Sequence, residues 1–175
     1  MAGPDGTRMA SARAPIRVGL IGYGYAGKTF HAPLIRAVPA LDLRVVGSRD
    51  PAKVRADLPG LDVVADPAAV AASDGVDLVV IASPNDTHAP LAQIALEAGK
   101  HVVVDKPFTL DLAKARGLVA LARRQGRMLS VFHNRRWDSD YLSVRQAVAE
   151  GRIGRVRHFE SHFDRFRPEV RDRWR

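Results

Sequence analysis

Residues 16–28 read IRVGLIGYGYAGK, an apolar run that breaks into glycines before a helical pattern begins. Ile16, Val18, Leu20 and Ile21 predict a buried strand, and Gly22, Gly24 and Gly27 spell G-x-G-x-x-G directly behind it. After a strand and before a helix, each glycine has its own task. Gly22 lets the chain turn sharply, Gly24 removes a side chain that would block a pyrophosphate, and Gly27 lets helix and strand pack closely. The backbone N–H groups opening such a helix have no acceptor within it, so they point at the phosphates, and the helix dipole adds partial positive charge there. Tyr23 lies inside the same turn and belongs to the same candidate dinucleotide site. The triplet alone would also describe a glycine-rich turn; the flanking strand and helix supply the required context.

Working outward, the helix from about Tyr25 is stopped after Val38 by Pro39, and Leu43 to Gly47 form a second strand. The end of this strand faces the adenosine ribose in a dinucleotide fold, where an acid would accept hydrogen bonds from the ribose hydroxyls. Here the chain reads Ser48-Arg49-Asp50. A small hydroxyl at Ser48 beside the Arg49 guanidinium suits a 2′-phosphate, which points to NADP in preference to NAD. The competing alignment makes Asp50 the ribose acid and leaves Arg49 as a solvated surface residue.

Pro51 to Leu58 predict a short helix and Val63-Val64 a short strand, and Asp66-Pro67 opens another helix with Asp as N-cap. Asp77 to Ala82, DLVVIA, is almost continuously apolar, as a central parallel strand covered on both faces must be. It ends in a polar turn, Ser83 to His88, at the strand edge where such sheets bind ligands. His88 has a plain alternative as a capping or surface residue of a helix from Ala89 to Ala98. Strand His101 to Val104 then delivers Asp105-Lys106-Pro107, placing Lys106 on the same rim as the glycine turn. A lysine there can bind a substrate hydroxyl and help move its proton, with Asp105 orienting it. The competing reading is a lysine paired with its own neighbour.

Thr109 is expected to cap a helix reaching Arg124, followed by a strand from Met128 to Phe132 and the block His133-Asn134-Arg135-Arg136-Trp137-Asp138. Arg135 and Arg136 could hold hydroxyls, phosphate or a carboxylate, or simply decorate a helix start. A helix from Ser139 to Glu150 ends at Gly151, and Arg155 to Phe163 reads as a further strand with no visible partner. Strands and helices therefore alternate through Phe132, the signature of an α/β doubly wound parallel sheet. The expected division is a disordered lead-in over 1–15, a Rossmann domain over 16–150, and the opening strand of an incomplete second domain over 151–175.

Composition narrows the function classes. The 175 residues are 46% hydrophobic and contain no cysteine, which excludes a disulfide framework and a thiolate nucleophile or metal site, and suits a cytoplasmic protein. No metal site is expected. No long apolar run reads as a membrane span, and residues 1–15 lack the apolar core of a secretory signal. The net charge of +8 raises the question of nucleic acid. Residues 1–100 hold 10 basic and 10 acidic side chains and residues 101–175 hold 17 and 9, yet no reading module or interleaved aromatic set accompanies the excess. No nucleic-acid partner is therefore expected.

The segments VGLIGYGYAG, ASPNDTH and DKPF, in this order and spacing, resemble the N-terminal half of the Gfo/Idh/MocA oxidoreductases. HNRRWDSDYL and ESHFDRFRPEVRDRW are similar to the NADP-dependent scyllo-inositol dehydrogenase group of that family. The resemblance implies a Rossmann domain followed by an α+β domain on a large open sheet, of which this chain would hold only the truncated start. It implies that Pro84, Asn85 and His88 line the nicotinamide side, that Lys106 is the catalytic lysine, and that Arg135 and Arg136 lie near substrate or nicotinamide; Ser83, Asp105 and Lys106 are counted with the cofactor site. The family's usual Glu-Lys-Pro is Asp105-Lys106-Pro107 here. The implied reaction is reversible hydride transfer between NADP(H) and a CH–OH group of a polyol, such as an inositol, or a sugar. The full-length form is expected to be a homo-oligomer assembled through the missing sheet, and this chain alone to bind cofactor without turnover. The alternative is a non-catalytic NAD(P)-binding regulatory or partner protein of the same fold.

Overall fold

A computed structural model describes residues 14–164, 166, 168 and 169, so the lead-in lies outside the described residues up to position 13. Six strands, β1 (Ile16–Ile21), β2 (Leu41–Gly47), β3 (Asp62–Val64), β4 (Leu78–Ile81), β5 (His101–Val104) and β6 (Leu129–Val131), form one parallel sheet ordered β3-β2-β1-β4-β5-β6. The order reverses between β1 and β4, which opens a crevice beyond their carboxyl ends. β4 is buried at every position, as its unbroken LVVI requires.

Parallel strands need crossover helices, and these cover both faces. A π-helical turn (Gly27–His31) continues into α1 (Ala32–Ala37), which with α2 (Pro51–Asp57) covers one face through Ala32, Ile35, Val54, Val18, Leu20 and Val46. On the other face α3 (Pro67–Ala72), α4 (Asn85–Glu97) and α5 (Leu112–Arg124) pack Val70, Leu91, Leu96 and Leu118 onto Ile81, Val102 and Val104. A 3₁₀ turn (Asn134–Trp137) leads to α6 (Ser139–Ala149), which buries no residue. Among the described residues no helix is long and apolar enough to cross a membrane.

Local chemistry accounts for most boundaries. Asp50 and Asp66 cap α2 and α3 by accepting the N–H groups of Lys53 at 3.0 Å and Ala68 at 2.9 Å, each with proline at the first helical position. Three expectations are corrected. α4 begins at Asn85, so most of the polar segment from Ser83 to His88 is its first turn and not a loop; the Thr87 N–H and hydroxyl both close on the Pro84 carbonyl, at 2.9 and 2.6 Å. α5 is capped by Asp111, whose carboxylate accepts the Lys114 N–H at 2.7 Å, while Thr109 instead bonds the Asp111 backbone. Residues 155–163 form no strand and are exposed. An extended segment becomes a strand only by pairing, and no described strand pairs with it.

Candidate functional site at the β1–β4 crevice

Gly22 leaves β1 with φ of 96°, and a Cβ there would lie 2.7 Å from the Ala82 carbonyl carbon and oxygen. The turn after β1 is thus pressed against the end of β4, and only glycine fits. Gly24 differs: a Cβ would meet nothing within 4 Å, so the space beside it is open to a ligand. A Cβ on Gly27 would collide with the Gly22 carbonyl oxygen, so this glycine serves the turn itself more than helix–strand packing. Lys28 is the first residue of the helix to bond back, its N–H reaching the Gly24 oxygen at 3.0 Å, which leaves the amides just ahead of it without a helical acceptor. These open donors beside open space fit a pyrophosphate. The Tyr23 side chain is 5% exposed and turned into the α1–α2 face, its hydroxyl donating to Asp57 at 3.3 Å, so only its backbone remains at the turn. Lys28 joins the same carboxylate at 2.6 Å. The Lys28 and Tyr23 contacts hold the Asp57 carboxyl below its ordinary range against the opposing effect of desolvation.

At the end of β2, Ser48 donates its N–H to the Val64 oxygen at 3.0 Å and its hydroxyl accepts the Asp50 N–H at 3.2 Å. The Asp50 carboxylate is engaged as the α2 cap. Arg49 is exposed and has no ion-pair partner among the described residues, so its guanidinium is available at this edge.

Across the crevice, Ser83 and Thr87 share a hydroxyl contact of 2.6 Å, with Pro84 exposed and Asn85 half-buried at the head of α4. His88 is neither a cap nor a surface residue. It is 1% exposed, with Nδ1 2.8 Å from the Pro107 oxygen and Nε2 2.9 Å from the Ser83 oxygen, so both ring nitrogens meet backbone and not the crevice. Asp105 does not pair with the Lys106 ammonium. Its Oδ1 accepts the Lys106 backbone N–H at 2.7 Å, and its Oδ2 lies 3.5 Å from His31 Nε2. Burial disfavours the Asp105 charge, but attraction to His31 and the Lys106 N–H outweighs it and holds the carboxyl below its ordinary range. The Lys106 side chain stands exposed at the rim, without an ion-pair partner among the described residues.

Arg135 is drawn aside: Nη1 bonds Asp138 Oδ2 at 2.7 Å, and the guanidinium lies over the Phe163 ring at 5.5 Å from its centre. Arg136 is exposed on the 3₁₀ turn. The sequence reading missed His31, buried behind the glycine turn against Phe132. The signal was present, since Gly27, His31 and Ile35 recur every four residues on one inward helical stripe.

Residues 16–133 match the sequence model of the Gfo/Idh/MocA oxidoreductase family, NAD-binding Rossmann fold, and residues 141–175 match that of the GFO/IDH/MocA C-terminal domain. An uncharacterized oxidoreductase, YdgJ, of Escherichia coli (strain K12) is 64% identical over 160 residues, covering 91% of this chain and 46% of its own. The NADP(+)-dependent scyllo-inositol 2-dehydrogenase IolW of Bacillus subtilis (strain 168) is 33% identical over 160 residues, with 91% and 45% covered. A crystal structure of an oxidoreductase from Klebsiella pneumoniae superposes with a TM-score of 0.86 at 68% identity, covering 91% of this chain and 46% of that one. The chain thus spans about half the length of the curated relatives it matches. With a six-stranded sheet in the order of a dinucleotide fold and the glycine turn at its switch point, the chain belongs to the Gfo/Idh/MocA oxidoreductase family.

Proposed function

We propose that this chain is the cofactor-binding part of an NADP(H)-dependent oxidoreductase acting on a CH–OH group of a polyol, such as an inositol, or a sugar. The observation that carries the reading is the shared rim: the open space at Gly24 and the exposed Arg49 and Lys106 all lie at carboxyl ends of strands in one parallel sheet. The turn from Gly22 to Gly27 would hold the pyrophosphate, Ser48 and Arg49 the 2′-phosphate, and Ser83, Pro84 and Asn85 the nicotinamide side. When bound there, the nicotinamide would supply the hydride acceptor or donor. Lys106 would hydrogen-bond the substrate hydroxyl and help move its proton, which leaves as the C–H bond breaks with its electron pair and returns in the reverse direction. The exposed rim offers hydrogen-bonding partners to a hydroxyl-rich substrate, and the similarity to a scyllo-inositol dehydrogenase supports that substrate class.

The reading is tested by following NADP+ reduction with inositols and sugars in a full-length family enzyme bearing the same Asp-Lys-Pro turn. Lys106→Ala there is expected to lower turnover by roughly two to four orders of magnitude, as loss of a general acid/base does, with cofactor affinity and melting temperature nearly unchanged. A large fall in melting temperature with turnover preserved would instead make Lys106 a structural residue.

A further inference from the structure

Tyrosine aside, two side chains with polar groups are buried among the described residues, His31 at 4% and His88 at 1% exposure. Both lie against the turn from Asp105 to Pro107, and they come from opposite faces of the sheet. His31 belongs to the π-helical turn behind the glycines; its ring leans on Phe132 at 4.3 Å between centres. Its Nε2 makes no hydrogen bond, yet lies 3.5 Å from Asp105 Oδ2, while the other carboxylate oxygen holds the Lys106 N–H. His88, from α4, bridges the Pro107 and Ser83 carbonyls. A neutral imidazole donates one N–H and a doubly protonated one donates two, so at least one of these contacts is a hydrogen bond. Burying an imidazole is costly unless its nitrogens are used, and a leucine could fill either place without that cost. What distinguishes the two positions is what they touch: the residue before Lys106 and the residue after it.

We propose that His31 and His88 are positioning residues that hold Lys106 from both faces of the sheet. His31 fixes the Asp105 carboxylate, and through it the Lys106 backbone. His88 fixes Pro107 and ties it to Ser83, so one ring sets the spacing between the lysine turn and the turn bordering the nicotinamide side. Neither ring reaches the crevice, so neither is a catalytic residue. The proposal rests on the assignment of Lys106 to the cofactor rim.

The test measures two quantities on this chain: NADPH affinity, and site-resolved acylation of Lys106 by a water-soluble activated ester with and without NADPH. Lys100, at the opposite edge of β5, serves as internal standard. Bound NADPH is expected to slow Lys106 labelling about five-fold, a shielding comparable to one hydrogen bond. H31F and H88F should bind NADPH within about two-fold of the parent yet lose most of that shielding, because the phosphate contacts lie at the glycine turn. H88Q, which returns a donor to the carbonyls, and H31Q, which puts a polar group back opposite the Asp105 carboxylate, should recover it in large part. Shielding retained in the Phe variants at equal NADPH occupancy would overturn the proposal, as would a loss in H31F that H31Q does not restore. Because H88F strands two carbonyls, H31F, which strands none, decides the outcome if H88F does not fold. Absence of shielding in the parent chain at saturating NADPH is a separate result: it overturns the assignment of Lys106 to the rim, and this proposal with it.

Discussion

Gly22 and Gly24 stand two residues apart and fail differently when a methyl group is added. At Gly22 a Cβ meets the Ala82 carbonyl at 2.7 Å in a backbone of φ 96°, so Gly22→Ala is expected to destabilise the fold by about 1–3 kcal/mol. Gly24 has open space, so Gly24→Ala should leave thermal unfolding nearly unchanged while weakening NADPH binding about ten-fold, comparable to one charge-assisted contact. Thermal unfolding and cofactor titration of the two variants check this pair, and a Gly24→Ala chain that binds NADPH normally would remove the pyrophosphate from that turn. Both tasks were legible from spacing, because they depend on neighbours in sequence. The role of His88 was not: its partners include Pro107, nineteen positions away and on another strand's turn, and nothing local distinguishes a buried bridging histidine from a surface one. His31 was legible as an inward residue, but its facing Asp105 again required the folded chain.

Among the elements, β1 and β4 are neighbours in the sheet yet separated by two strands in sequence, and one ion pair ties their starts together. Asp77 accepts Arg17 through its backbone N–H at 3.0 Å, Nε at 2.9 Å and Nη2 at 2.6 Å. The Arg17 side-chain hydrogen bonds, followed by its backbone N–H, hold the Asp77 carboxyl far below its ordinary range. A carboxyl depressed by folding contributes stability above its unfolded pKa of about 4 and loses that contribution as pH falls toward the folded value. Asp77→Asn is therefore expected to lower stability near neutral pH, with the gap to the parent closing below about pH 4 and narrowing in high salt, since both side chains are 41% exposed. Urea unfolding across pH 2–7 measures it, and a gap that stays constant with pH would contradict the linkage. Element types were readable where hydrophobic periodicity and capping agreed, as at β4 and at the Asp50 and Asp66 caps. They were misread at 155–163, where alternating aromatics describe a strand but pairing alone makes one.

For the whole molecule, the alternation of strands and helices implied a doubly wound sheet, and the order β3-β2-β1-β4-β5-β6 puts its switch point between β1 and β4. That placement brings Gly24, Arg49 and Lys106 from three separate parts of the chain to one end of one sheet. The exposed Trp137 and Ile153 were visible as apolar residues in the sequence, but their exposure depends on what packs beside them, which spacing cannot report. The proposed NADP(H) site spans this rim, with Arg49 placed to meet the 2′-phosphate. Paired titration of the chain with NADPH and NADH, repeated on Arg49→Ala, tests it most directly. The parent is expected to bind NADPH more tightly than NADH, and the variant to lose roughly ten- to hundred-fold for NADPH alone, the range of a charge-assisted contact. Equal affinity of the parent chain for both cofactors, or an Arg49→Ala chain that still prefers NADPH, would contradict it.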